Sequence, residues 1–195
     1  MSHELIKSQF RQNKASWIKS SFEGLSQDEN GNFLPWMTYL AIEFLQKNIN
    51  QNHEIFEFGC GASTLFFSPR VKLLVGLETR RGWLEFTQGK LTKNNTKLNL
   101  MEDGLVNENY EKFATNYGQK FDFIIIDSLK RFQCAINSIH ALKPGGAIIL
   151  DDSERKNYAK IFSFFESNGF RKQDFVGIAP GQLRVKNTTF FWKKS

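Results

Sequence analysis

Five short apolar runs, each separated from the next by a helical stretch, restrict this chain to few architectures. EIFEF (54–58), VKLLVGL (71–77), KLNLM (97–101), FDFIII (121–126) and AIILD (147–151) read as strands, the fourth most clearly because it is apolar and rich in β-branched residues. A helix can begin at Ala62, and helical patterns cover 80–93, 108–117, 130–142 and 153–167. Strands alternating with helices of that length imply right-handed crossovers and a mostly parallel sheet covered on both faces. The runs at 174–179 and 188–193 have no helix between them and predict a closing antiparallel hairpin. The expected fold class is therefore α/β, a doubly wound seven-stranded sheet ending in that hairpin.

Ahead of the first strand, 36–47 shows apolar residues at i and i+4 (Trp36, Leu40, Phe44; Met37, Ala41, Leu45) and reads as a helix. Residues 1–35 are polar and mixed, and close on the turn-rich SQDENGNFLP. The expected organisation is an N-terminal extension over 1–35, placed to fold over a site as a lid, and one domain over 36–195.

The chain's 195 residues suffice for one domain with a substantial core, and 20 phenylalanines can fill it without polar partners. The net charge is +6, yet Lys and Arg are scattered and often lie beside acids. With no long basic stripe, the charge argues against nucleic acid as the substrate. Cys60 and Cys134 are too few and too far apart for a disulfide framework or a metal knuckle. No apolar run reaches the length of a membrane span and the N-terminus lacks a signal-peptide core, so no integral membrane association and a cytoplasmic location are expected.

The stretch FEFGCGASTLFF (56–67) puts Gly59-Cys60-Gly61 directly after the first strand. In a doubly wound sheet, ligands bind beyond the carboxyl ends of the strands. Glycine there permits positive φ and removes the Cβ that would hold a ligand away. Ser63 and Thr64 follow, with hydroxyls able to meet polar ligand groups, and Glu78 closes the second strand, where an acid can accept bonds from both ribose hydroxyls. A third glycine is lacking, Ser63 standing in its place. Glu57 would repel a pyrophosphate but attract a cationic amino group. That disfavours a dinucleotide.

Glu57-x-Gly59-x-Gly61 with Glu78, the strand ending at Asp127 and the turn Leu142-Lys143-Pro144-Gly145-Gly146 together resemble the class I S-adenosylmethionine-dependent methyltransferases. PWMTYLAIEFL (35–45), FEFGCGAST (56–64) and FDFIIIDSLKR (121–131) are similar to a bacterial methyltransferase-like group of unassigned substrate. The resemblance implies S-adenosylmethionine as cofactor, with Glu57, Gly59 and Gly61 framing its amino acid half and Glu78 holding the ribose. Asp103 would meet the adenine amino group, with Glu102 or a plain solvated turn as the alternatives. Asp127 would face the cofactor or the acceptor, a small molecule or glycan precursor methylated on oxygen or nitrogen.

An alcohol acceptor must also lose a proton, to a base or with a metal's help. Asp127, Lys130, Asp151 and Asp152 follow the order found in catechol-type O-methyltransferases, whose strand-tip acids and amide hold Mg²⁺ and whose lysine is the base, although Asp152 stands where that group has Asn. That likeness makes Asp127 and Lys130 the candidate catalytic residues. Hard oxygen ligands suit Mg²⁺, but helix capping explains Asp151-Asp152-Ser153-Glu154 equally, and no metal is assigned. Lys130-Arg131 can instead bind an anionic acceptor or open a solvated helix face, and Trp36 and Tyr39 can line an acceptor pocket or pack in the core. The competing readings are a nucleotide-cofactor oxidoreductase, which Glu57 opposes, and a non-catalytic binding or scaffold protein.

Overall fold

The computed structural model describes residues 3–193. In chain order the elements are α1 (His3–Gln12), α2 (Lys14–Glu23), α3 (Tyr39–Asn48), β1 (Glu54–Phe58), α4 (Ala62–Phe67), β2 (Leu73–Glu78), α5 (Arg81–Gln88), β3 (Thr96–Leu100), α6 (Phe113–Asn116), β4 (Phe121–Ile126), α7 (Arg131–Ser138), β5 (Leu142–Leu150), α8 (Ala159–Ser167), β6 (Phe170–Gly177) and β7 (Lys186–Lys193). The sheet runs β3-β2-β1-β4-β5-β7-β6. The first five strands of that order pair in parallel, while β7 is antiparallel to both β5 and β6. This is the expected doubly wound sheet with its antiparallel hairpin.

The unbroken apolar runs follow from burial on both faces. Phe56, Phe58, Ile124, Ile126, Ile148 and Leu150 enter one hydrophobic layer; their alternates Ile55, Ile125 and Ile149 enter the other. Side chains of one strand point to opposite faces in turn. Because β1 lies between β2 and β4, the chain winds outward both ways from it. The carboxyl ends of β1 and β4 flank the crevice where such a sheet receives ligands.

Several boundaries differ from expectation. Residues 3–23 form two helices where none was expected. The face that α2 buries presents Ser16 and Ser20, whose hydroxyls donate to the Gln27 carbonyl at 2.8 and 2.9 Å. A helix docked through serines carries no apolar period. At α3, Thr38 is the N-cap and accepts from the Ala41 N–H at 3.3 Å, so Trp36 precedes the helix. Lys143 to Gly146 do not stop the chain ahead of β5. They lie within it, where its register with β4 shifts between Phe121 and Phe123. The helix expected over 108–117 contracts to α6. The one expected from Ser153 begins at Ala159, after a 3-10 turn over Lys156–Tyr158.

Candidate functional site

The strand ends surround a cavity of about 400 Å³ whose wall includes Trp36, Gly59, Gly61, Ser63, Glu78, Arg80, Trp83 and Asp127. Gly59 has φ +91°, and a Cβ there would meet the Asp127 carbonyl oxygen at 2.6 Å. Both backbone sign and space require glycine. A Cβ on Gly61 would lie 2.6 Å from Trp83 Nε1, so the indole rests on bare backbone. Trp83 in turn stacks with Trp36 (centroids 6.4 Å apart, planes 7° apart) and with Phe86 (5.1 Å, 11°).

Glu78 ends β2 with 3% of its surface exposed. Its carboxylate accepts from the N–H groups of Cys60 (2.9 Å), Thr79 (2.8 Å) and Arg80 (2.8 Å). Three donors fix its position beside the glycine turn. Thr64 is fully buried; its hydroxyl accepts from the Gly61 N–H at 2.9 Å and donates to Glu57 Oε2 at 2.6 Å. It therefore orients the turn and the acid behind it, while Ser63 faces the cavity.

Glu57 is wholly buried, and its Oε1 has no hydrogen-bond partner. Burial pushes its carboxyl up to about 8, against the pull of the Ser63 and Thr64 hydroxyls; the charges of Asp127 and Glu78 push the same way. An unpartnered buried oxygen is costly unless something binds it. The oxygen lies behind the glycine turn, which itself forms part of the cavity wall.

Asp127 follows β4. Its Oδ1 accepts from Arg131 Nη2 at 2.6 Å, one turn along on α7. Desolvation and then Asp151 push its carboxyl up, to about 7, while Arg131 and Lys186 pull it down. Because 39% of the side chain still meets solvent, the full rise belongs to a cavity from which water has been displaced. Asp127, Asp151 and Asp152 converge, one oxygen of each lying within 4.8 Å of the others.

Four expected residues lie outside the cavity wall: Glu57 and Thr64, fully buried behind the glycine turn, and Lys130 and Asp103. The Lys130 amine donates to the Asn107 carbonyl at 2.9 Å and pairs with Glu111 at 3.0 Å. The exposed Asp103 carboxylate accepts from Asn107 Nδ2 at 3.0 Å. Trp36 belongs to the wall, as one of its two sequence readings had it, while Tyr39 is 3% exposed and its hydroxyl meets Ser16 at 3.0 Å. Sequence reasoning missed Arg80 and Trp83 in the wall and gave Arg131 no role beside Asp127. Only the position of Arg80 and Trp83 just after Glu78 could have flagged them.

No protein-family model matches the chain, and no curated protein matches it. Solved structures do. One is a precorrin-6y C5,15-methyltransferase from Geobacter metallireducens: 14% identity, TM-score 0.61, covering 79% of this chain and 87% of that one. A second is an rRNA methylase from Streptococcus thermophilus: 14% identity, TM-score 0.58, covering 80% and 95%. The chain has the class I methyltransferase fold. A third structure with this methyltransferase fold is the N-methyltransferase NodS from Bradyrhizobium japonicum, solved with S-adenosyl-L-homocysteine: 14% identity, TM-score 0.54, covering 77% and 82%. Among the described residues, no helix is long and apolar enough to cross a membrane.

Proposed function

We propose that the chain binds S-adenosylmethionine in this cavity and transfers its methyl group to an oxygen or nitrogen of a small-molecule or glycan-type acceptor. The observation that carries the reading is Glu57, a buried carboxyl with one unpartnered oxygen, behind a turn that only glycine can make. Glu57 would hold the cofactor's ammonium, Gly59 and Gly61 would leave room for its amino acid half, and Glu78 would take a ribose hydroxyl through the lone pair left on Oε2. Bound there, the cofactor supplies an electrophilic methyl group. This chain contributes position and a proton acceptor.

We place that acceptor at Asp127, which faces the cavity and is fixed by Arg131. A carboxyl raised toward neutrality is a better base than an ordinary one. Lys130 can serve only if its pair with Glu111 opens, and Asp103 can reach a ligand only by leaving Asn107.

Calorimetric titration with S-adenosylmethionine and, separately, NAD tests the reading. Micromolar binding of the first alone, lost in Gly59→Val, supports it; binding of NAD, or of neither, removes it. Asp127→Asn then separates an enzyme from a non-catalytic binder. Methyl transfer lost with cofactor affinity retained identifies a catalyst.

A further inference from the structure

Asp151 and Asp152 are 1% and 5% exposed, and with Asp127 they form a three-carboxylate cluster at the tips of β4 and β5. Buried carboxylates need compensating charge. A bound divalent cation is one way to supply it, and the cluster has the oxygens that such a cation prefers. The side chains around it supply another. Lys186, at the start of β7, is 2% exposed. Its Nζ lies 2.5 Å from Asp151 Oδ2 and 2.7 Å from Asp152 Oδ1, and donates its third bond to the Trp36 carbonyl at 2.8 Å. The three protons of the ammonium are thereby all engaged.

Every oxygen of the two buried acids is already committed. Asp151 Oδ1 accepts from the Thr188 hydroxyl at 2.7 Å. Asp152 Oδ1 also accepts from Arg184 at 2.7 Å, and its Oδ2 accepts from Arg155. Arg131 completes the arrangement, joining Asp127 at 2.6 Å to the backbone carbonyl of Asp151. Oxygen ligands lie about 2.0–2.6 Å from Mg²⁺ or Ca²⁺. An ammonium nitrogen at 2.5 and 2.7 Å from two of the three acids therefore fills the same volume. The cluster does not fit a metal while Lys186 is in place.

We propose that Lys186 is the built-in cation of this cluster, standing where a divalent metal would otherwise bridge Asp151 and Asp152. As a positioning residue it ties three parts together: the tip of β5, the strand β7 that carries Lys186 itself, and the Trp36 wall of the cavity. Two consequences follow for the site. Asp127 works beside organic cations alone, and a chelator leaves the site intact. The inference goes beyond the methyl-transfer reading and stands without it, because metal binding can be measured with no cofactor and no acceptor.

The test is a Mn²⁺ titration of the full chain, followed by electron paramagnetic resonance and calorimetry, and repeated with Mg²⁺. The wild-type protein should show no saturable binding at millimolar metal. Lys186→Met keeps the length of the side chain but removes the charge, and should gain a Mn²⁺ site that raises its melting temperature and is lost again in Lys186→Met/Asp151→Asn. A purely structural lysine would give no such gain. Saturable wild-type binding that disappears in Asp151→Asn overturns the proposal, as does a folded Lys186→Met variant that binds no metal. If Lys186→Met folds only when Mn²⁺ is present, the metal is doing the lysine's work and the proposal stands. If it folds under neither condition, the wild-type titration decides, since the proposal requires it to stay silent.

Discussion

Ligand binding at Glu57 should release a proton. In the free protein the carboxyl is pushed up to about 8 by burial, so at neutral pH it is mostly protonated. An ammonium brought against Oε1 favours the ionised form, and the proton must leave as the ligand enters. With a free-protein value of about 8, roughly 0.9 proton is released per ligand bound at pH 7, and affinity falls by up to about 50-fold between pH 8 and pH 6, or ~2.3 kcal/mol. The ligand's own amino group titrates near pH 8 as well, so the comparison is with Glu57→Gln, which keeps the shape and removes the proton. The ratio of the two dissociation constants should change by up to ~50-fold across that range, as only the wild type contributes the linked proton. Calorimetry with S-adenosylhomocysteine, in buffers of different ionisation enthalpy, reads both quantities. A constant ratio from pH 6 to 8, with heats independent of the buffer, would refute the assignment of Glu57 as the ammonium's partner.

The same carboxyl makes the free protein lose stability as pH rises. Its folded value lies above the ordinary 4.5 of the unfolded chain, so the folded state holds the extra proton between about pH 5 and 8; denaturant unfolding should weaken by up to ~1.4 kcal/mol per pH unit from this group, and Glu57→Gln should flatten the profile. Gly59→Ala should cost at least about 1–2 kcal/mol from its φ of +91° alone and abolish ligand binding, whereas Gly82→Ala, with nothing within 4 Å of the added Cβ, should be neutral or stabilising. Lys186→Met without added metal should lower unfolding free energy by roughly 3–5 kcal/mol, because two buried carboxylates lose their shared cation. Ser16→Ala should cost about 1 kcal/mol in thermal melts, since it leaves the buried Tyr39 hydroxyl without that partner.

What the sequence discloses depends on whether a residue's role is local. FDFIII reads as β4 with the observed bounds, because burial on both faces of a parallel strand leaves an unbroken apolar run. Glu57, the two glycines and Glu78 sit at strand ends, which period and turn chemistry locate. Helix α1 packs Ile6 and Phe10, an i and i+4 pair that was legible, beside Gln9, whose Oε1 accepts from the Ile178 N–H at 3.1 Å. Helix α2 stayed hidden because it buries Ser16 and Ser20. Lys186 was equally silent. A lone lysine in a polar loop acquires its role only when β7 inserts beside β5, a pairing across more than thirty residues of chain. Lys130 was drawn from likeness to another enzyme group, and its amine lies instead against Glu111.

The central claim is that this cavity receives S-adenosylmethionine with its amino acid end against Glu57. A crystal structure of the wild-type protein soaked with S-adenosylhomocysteine tests it most directly. The account predicts ligand density between Gly59, Gly61 and Glu78, with the ammonium bonded to Glu57 Oε1, the oxygen that now has no partner. Density at another site, or a ligand here whose amino group turns away from Glu57, would contradict it.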